Sequence, residues 1–539
     1  MRAPDDFSDN NFPALSQLPL PAEMHAWDAA AVNLGLPEVL LMENAGRAAF
    51  SVLCRHVSEI SGKDVWLFMG SGNNGGDAAS LARALLEANA RPLVLHIRPL
   101  NTYKGVAAKH IRMAKAAGVP FVPLKRHPLE NPPEILVDGL LGTGFSGVLR
   151  PELQKNIENI NHITSFSPRF VLALDIPSGL DAATGLPAPV AVRASATVSF
   201  AAAKPGLLLP WARQWTGRVH VRPIGIPARI RASLPCSAYL LDGRMIPPAV
   251  PQNSYKNSYG HVLVLGGAQG YSGAAHLAAR AALRAGAGLV TALAPAANVS
   301  EIKNNCPEIM TCALRSSNTG QWPEKIPPEL HELGKRCTAF VAGPGLGRGD
   351  DAARFLTSLM SLKRPPTVFD ADALMLFANY PTLLQRINDT DILTPHPGEA
   401  AALLLCDTKT VQADRESALK KLCGLCAGVI LLKGAGTLVG QKGKPLLISP
   451  YDVPQLAVGG SGDVLSGCLG ALLAQAGSTQ SSLYLAGTGV VLHALAGRRC
   501  ALMWPERGNT ACDIADALPL TRADLTRQKP DRELLPWPE

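Results

Sequence analysis

Two glycine-rich stretches of the chain close on a carboxylate. VGGSGDVLSG, residues 458–467, sets Asp463 among four glycines, and SGNNGGDAAS, residues 71–80, ends its run with Asp77. Glycines in such runs let backbone N–H groups converge on an anion. An aspartate beside an anion is unfavourable unless it acts on what the anion carries. The later stretch contains neither GxxxxGK followed by Ser or Thr nor GxGxxG, which excludes an ordinary P-loop and a Rossmann dinucleotide turn there. If a helix starts near Asp463, the N–H groups of Gly460 to Asp463 and the helix dipole form a phosphate site. The carboxylate can then take a hydroxyl proton as a phosphoryl group moves onto the oxygen. An N-cap aspartate, favoured for helix stability alone, explains this stretch by itself equally well.

Further strings offer matching chemistry. KGAGTLV, Lys433 to Val439, supplies a cation and two glycines suited to nucleotide phosphates. GPGLGRG, residues 343–349, closes a strand, and TPHPGE, residues 394–399, holds His396 between two prolines beside a carboxylate. In the first half, Gly72, Gly75 and Gly76 flank Asn73 and Asn74, whose amides, with Asp77, can bind pyrophosphate and ribose. Asp138 ends the run EILVD and Asp175 ends FVLALD. Asn74, Asp138 and Ser178 offer hard oxygen ligands. If they converge, a potassium-like cation completed by carbonyls fits better than a divalent metal, which needs more carboxylates. Taken singly, each aspartate reads better as a strand-end loop cap. Cys423 and Cys426 form a CxxC inside KLCGLCAGVILLKG, which reads as small-residue packing rather than a metal or redox site. His276 and His493 read as packing or surface residues.

The elements that must position these groups follow one pattern. DVWLFMG, EILVDGL and FVLALDIPSG are short apolar runs ending in glycine or proline loops, and AASLARALLEANA between them reads as a helix. Strand–helix alternation argues for a parallel sheet covered on both faces, with functional loops at the carboxyl ends of strands. The pattern breaks in the proline-rich residues 223–259 and resumes with HVLVLGG, GLVTALAP, TAFVAGPGLG, PTVFDADAL, DILTPHPGE and GVILLKGAGTLVG. A helix is expected over Val464 to Ala474, and a loose extension from about Pro519. The length, 539 residues, exceeds one ordinary core and predicts two large domains. Apolar residues at 47% and charged residues at 17% indicate well-packed domains. The net charge of +8 comes without a dense Lys/Arg block, so nucleic acid is not expected, while a small anionic ligand fits. No run of about 18 apolar residues predicts a membrane span, and the first residues lack the apolar core of a secretory signal. The eleven scattered cysteines point to a reducing cytoplasm.

GPGLG, PHPGE, KGAGT and GGSGDVLSG, in this order over roughly residues 240–515, resemble the ribokinase-like ADP-dependent NAD(P)H-hydrate dehydratases. LMENAGRA, GSGNNGGD, VDGLLGTGFSG and DIPSGLD, over about residues 15–225, resemble the NAD(P)H-hydrate epimerases, with Ala78 where that family usually has glycine. The resemblance implies an α/β protein: a Rossmann-like three-layer α/β/α domain over residues 1–227 and a ribokinase-like α/β/α domain over residues 238–520. It implies that Lys433, Gly434, Ala435, Gly436, Thr437 and Gly462 contact the adenine nucleotide, and that Ala274, Gly345, His396 and Asp463 line the hydrated nicotinamide. In the first domain it implies substrate contacts from Asn73, Asn74, Gly75, Gly76, Asp77, Gly142, Thr143, Gly144, Phe145, Ser146, Gly147, Val148 and Asp175. It implies K⁺ at Asn74, Asp138 and Ser178, and Mg²⁺ with ADP in the second domain. The catalytic candidates are Asp463 and Asp175, the ligands are NAD(P)HX and ADP, and a homo-oligomer is expected. A kinase of a small alcohol fused to a non-catalytic ligand-binding half is the alternative reading.

Overall fold

Short apolar runs of two to seven residues, too short for helices, build two separate sheets in this computed structural model. It describes residues 15–165, 169–249, 253–315, 320–323, 326–477 and 479–527. The chain folds into two compact units, Ser16–Ala238 and a larger one beginning at Tyr239.

The first unit carries strands β1 (Asp64–Met69), β2 (Arg91–His96), β3 (Phe121–Pro123), β4 (Ile135–Gly139), β5 (Phe170–Leu174), β6 (Ala196–Phe200) and β7 (Arg218–Arg222). They lie in the order β3-β2-β1-β4-β5-β6-β7, all parallel. The order reverses between β1 and β4, the place where doubly wound sheets open a crevice at their carboxyl ends. Alternate residues of β1 feed two cores. Val65, Leu67 and Met69 pack with Trp27, Leu81 and Val94, while Trp66 and Phe68 pack with Leu136 and Ile157. Burial on both faces explains why these strands read as continuous apolar runs rather than alternating ones.

The second unit has a ten-stranded sheet. Its strands are β8 (Ala238–Leu240), β9 (His261–Leu265), β10 (Leu289–Pro295), β11 (Met310–Leu314), β12 (Ala339–Ala342), β13 (Thr367–Phe369), β14 (Ile392–Leu393), β15 (Val429–Leu432), β16 (Leu438–Gly440) and β17 (Leu446–Ile448). The order is β11-β10-β9-β12-β13-β14-β15-β16-β17-β8. Pairing is parallel from β11 to β15 and antiparallel across β15, β16 and β17. The helices Ser461–Ala476 and Ser272–Arg284 pack closely because Gly467 has no side chain; a Cβ there would fall 2.0 Å from the Ala278 carbonyl oxygen.

Three elements differ from the sequence expectation. The glycine run after β1 is not a loop: Asn73 to Glu87 is one helix, so Asn-Asn-Gly-Gly-Asp forms its first turn. The late helix starts at Ser461 rather than Val464. Of the loose extension expected from Pro519, the part up to Thr526 belongs to the helix Ala511–Thr526, with Pro519 inside it, and residues 528–539 lie outside the described residues. Ile514, Leu518, Thr521 and Leu525 recur at helical spacing and are buried, and this packing outweighs the missing proline N–H. Among the described residues no helix is long and apolar enough to cross a membrane.

Candidate active sites

The first site lies at the carboxyl edge of β1, β4 and β5, in a cavity of about 1060 Å³. Asn73, Asn74, Asp77, Gly142, Thr143, Gly144, Phe145, Ser146, Val148 and Asp175 all line it. Gly75, Gly76 and Gly147 do not. Gly75 and Gly76 serve close packing, since a Cβ on Gly75 would sit 2.2 Å from the Gly70 oxygen and one on Gly76 2.5 Å from Met42 Sδ.

Asp175 follows β5 with φ +62°, a left-handed backbone costly for a residue bearing a Cβ. Its carboxylate is held from both sides. Oδ1 accepts from the Lys204 ammonium, and Oδ2 accepts from Thr143 Oγ1 at 3.1 Å. Lys204 is 1% exposed, and its ammonium also donates to Ser199 Oγ and the Phe200 oxygen, each at 3.1 Å. Asp77 shares the cavity with this pair. Burial, and then the Asp175 and Asp28 carboxylates, hold it well above the usual carboxylate range. Asp28, also on the cavity wall, is pushed up to about 6 chiefly by burial. Among the described residues lining the cavity, Lys204 is the one buried ammonium, set beside these carboxyl groups, and it is the residue that sequence reading missed. Its partner lies 29 positions away, so no local spacing marks it.

Asn74, Asp138 and Ser178 do converge. Asp138 is fully buried, and its oxygens accept from Ser178 Oγ at 2.6 Å and Ser178 N–H at 2.7 Å. Burial pushes Asp138 up to about 6 against those hydrogen bonds. Asn74 Nδ2 donates to the Leu141 and Leu174 oxygens at 2.6 and 3.1 Å, which fixes the amide's orientation. Asn74 Oδ1 is left buried without a partner. Asn74 Nδ2 and Ser178 Oγ both donate to the Leu141 carbonyl oxygen, so an orphaned amide oxygen, a hydroxyl and a backbone carbonyl gather here, a donor set that suits a monovalent cation.

The second site gathers at the carboxyl ends of β12 to β15. Asp370, directly after β13, is 1% exposed. It accepts from Lys433 Nζ and Thr394 Oγ1, both at 2.7 Å, and from Ser466 Oγ. Burial opposes its charge, but the Lys433 ammonium and these hydrogen bonds hold it below the usual carboxylate range. Lys433 Nζ also lies 3.9 Å from Glu399. Burial and then the Asp370 charge raise Asp463 to about 7, against the attraction of Lys433. Burial raises Glu399 to about 7 as well. Asp463 is the third residue of the helix Ser461–Ala476, whose cap is Gly460 at φ +86°. The capping reading of Asp463 therefore fails, and the carboxylate is left for other work.

Gly462 lies against Lys433, since a Cβ there would be 3.4 Å from Nζ. Gly434 to Thr437 form the turn between β15 and β16, with Thr437 Oγ1 donating to the Gly434 oxygen at 2.9 Å. His396 caps the helix Pro397–Leu403 by accepting from Gly398 N–H at 2.9 Å, and its Nε2 lies 3.3 Å from Glu399. Gly345 and Ala274 are neighbours: a Cβ on Gly345 would meet the Ala274 Cβ at 3.3 Å. His493, read as packing, is buried with Nε2 3.2 Å from Ser461 Oγ, at the start of the late helix. Asp370 stands within the strand run PTVFDADAL and had no role in the sequence reading; its place at a strand end, like that of Asp138 and Asp175, was the available signal. Cys423 is buried, and burial lifts its thiol to about 12. Among the described residues no group of three or more His, Cys, Asp or Glu could hold a metal ion.

Residues 38–206 match the YjeF-related protein N-terminus family, and residues 262–520 match the NAD(P)H-hydrate dehydratase family. The chain is 36% identical to the bifunctional NAD(P)H-hydrate repair enzyme Nnr of Coxiella burnetii, over 90% of this chain and 95% of that one. It is 34% identical to the enzyme of the same name from Escherichia coli, over 91% and 90%. The chain belongs to the family of bifunctional NAD(P)H-hydrate repair enzymes. Solved structures similar to it include a ribokinase-like superfamily protein from Enterococcus faecalis, at 22% identity and TM-score 0.47, over 54% of this chain and 97% of that one. Another is an ADP/ATP-dependent NAD(P)H-hydrate dehydratase from Bacillus subtilis co-crystallised with ATP and Mg²⁺, at 23% identity and TM-score 0.42, over 52% and 96%. Similarity to two-function repair enzymes along nearly its whole length sets aside the reading as a small-alcohol kinase with a non-catalytic partner half.

Proposed function

We propose that this NAD(P)H-hydrate repair enzyme divides its task between the units. The first interconverts (R)- and (S)-NAD(P)HX, and the second dehydrates (S)-NAD(P)HX with ADP to give NAD(P)H, AMP and phosphate. The observation that carries the dehydratase reading is Asp463: a carboxylate raised to about 7, set in the first turn of a helix and next to the Lys433–Asp370 ion pair. A base near neutrality is suited to taking the proton of the C6 hydroxyl as its oxygen attacks the β-phosphorus of ADP and AMP leaves. Hydroxide leaves a carbon poorly and phosphate leaves well. The lone pair of the ring nitrogen expels phosphate, and loss of the C5 proton restores the dihydropyridine. Lys433 and the N–H groups at the start of the helix Ser461–Ala476 favour the transferred phosphoryl group. Glu399, beside Lys433, would supply a carboxylate to Mg²⁺ on a nucleotide's phosphates, and the ion would supply charge neutralisation there.

In the first unit, Asp175 is the proton carrier at the C6 hydroxyl. Lys204 and Thr143 hold its two oxygens in fixed directions toward the cavity. Asn74, Asp138 and Ser178 fit K⁺, which supplies positive charge to a cavity already rich in carboxylates. The test is to mix NADHX, ADP and Mg²⁺ with the protein and follow NADH. Regeneration that requires ADP supports the reading, and none at all refutes it.

A further inference from the structure

Gly70, Ser71, Gly72, Asn73, Asn74 and Gly75 spell GxGxxG immediately behind β1 and at the opening of a helix. The glycines make the close approaches that this pattern requires. A Cβ on Gly70 would sit 1.7 Å from the Leu140 oxygen, and one on Gly75 2.2 Å from the Gly70 oxygen. In a sheet ordered β3-β2-β1-β4-β5-β6, such a turn carries a dinucleotide across the reversal point, with pyrophosphate on the helix N-terminus. Asp175 follows β5, so the reacting ring belongs over β4 and β5. The adenosine end is left to the loop behind β2.

In dinucleotide sites of this topology, an acid about 20 residues past the glycine turn binds the ribose 2′-hydroxyl, whereas an arginine accommodates a 2′-phosphate. The loop behind β2 reads His96-Ile97-Arg98-Pro99-Leu100-Asn101-Thr102-Tyr103 and contains no carboxylate. Arg98 and Tyr103 line the same cavity as Asp175. Among the described residues no carboxylate pairs with Arg98, and the turn that presents it is pinned by His96 Nδ1, 2.7 Å from the Arg98 carbonyl oxygen. Tyr103 is 7% exposed, yet its hydroxyl has no hydrogen-bond partner. The Arg98 charge acts on that hydroxyl, against the burial that lifts it to about 12.

We propose that Arg98, with Tyr103 beside it, forms the subsite for the adenosine 2′-phosphate, so that the epimerase unit prefers the hydrate of NADPH to that of NADH. The proposal rests on the epimerase reading of the first unit. It is tested by steady-state epimerisation of (R)-NADPHX and (R)-NADHX, read as KM and kcat separately, in the wild type, Arg98→Ala, Tyr103→Phe and Arg150→Ala. Arg150 lines the cavity too, but from the side of β4. A charge-assisted contact worth about 1.5 kcal/mol predicts a KM for NADPHX roughly tenfold below that for NADHX. Arg98→Ala should erase the difference with kcat unchanged, Tyr103→Phe should reduce it, and Arg150→Ala should leave the ratio as it was. Equal KM values in the wild type, or Arg98→Ala raising both alike, overturns the proposal. Calorimetry with adenosine 2′,5′-bisphosphate against 5′-AMP, on the full chain with and without Arg98→Ala, reads the subsite without turnover. An Arg98-dependent preference for the bisphosphate in a protein that epimerises nothing would uphold the subsite and sink the epimerase reading; no such preference overturns the subsite.

Discussion

Asp463 and Asp370 are two carboxylates of one cluster with opposite fates. Two hydroxyls and an ammonium hold Asp370 ionised, while Asp463 has neither a cap role nor a full set of partners and rises to about 7. A base of that kind must be ionised to act, so ADP-dependent dehydration should climb as pH rises through about 7, which a pH–rate profile of kcat/KM checks. Asp463→Asn should cut kcat by roughly 100-fold or more while ADP binding measured by calorimetry holds. The same shift has a stability consequence. A carboxylate raised in the folded state favours folding below its unfolded value near 4, and that contribution is lost as pH rises through about 7. Asp463→Asn should therefore raise the Tm at pH 8, by about 1 kcal/mol in stability, and leave it unchanged near pH 4. In the first unit, Lys204→Met strands the Asp175 carboxylate among other acids. Loss of epimerisation and a drop of about 3 kcal/mol in denaturant unfolding are expected. The glycine motifs and the carboxylates among them could be read from residue types alone. Lys204 and Asp370 could not be given roles, because their partners lie 29 and 63 positions away and only the fold brings them together.

At the scale of elements, both glycine runs prove to be first turns of helices rather than free loops. Strand–loop–helix order was legible because buried parallel strands leave continuous apolar runs, which glycine and proline then interrupt. Where each helix begins was not, because glycines and asparagines are poor helix formers whose place in a first turn is decided by packing. Pro519 misled for the same reason: the buried stripe of Ile514, Leu518 and Leu525 outweighs one missing hydrogen bond. Close packing also fixes the late helix. Gly467→Ala drives a methyl group to 2.0 Å from the Ala278 oxygen, and an overpacking loss of about 2 kcal/mol in chemical denaturation is expected, larger than for a Gly→Ala change at open Gly424.

At the scale of the whole molecule, the two units hold separate chemistry on one chain, and each should fail alone. In KCl the protein should epimerise; replacing K⁺ by a bulky organic cation should slow epimerisation and leave ADP-dependent dehydration of (S)-NADHX unchanged, as read by separate assays of the two steps. The most direct test of the account is the endpoint of NADH regeneration from an equal mixture of (R)- and (S)-NADHX with excess ADP and Mg²⁺. The wild type should convert all of it, Asp175→Ala should stop near half, and Asp463→Asn should produce almost none in the time the wild type takes to finish. Complete conversion by Asp175→Ala, or sustained NADH formation by Asp463→Asn, would contradict the assignment of one carboxylate to each reaction.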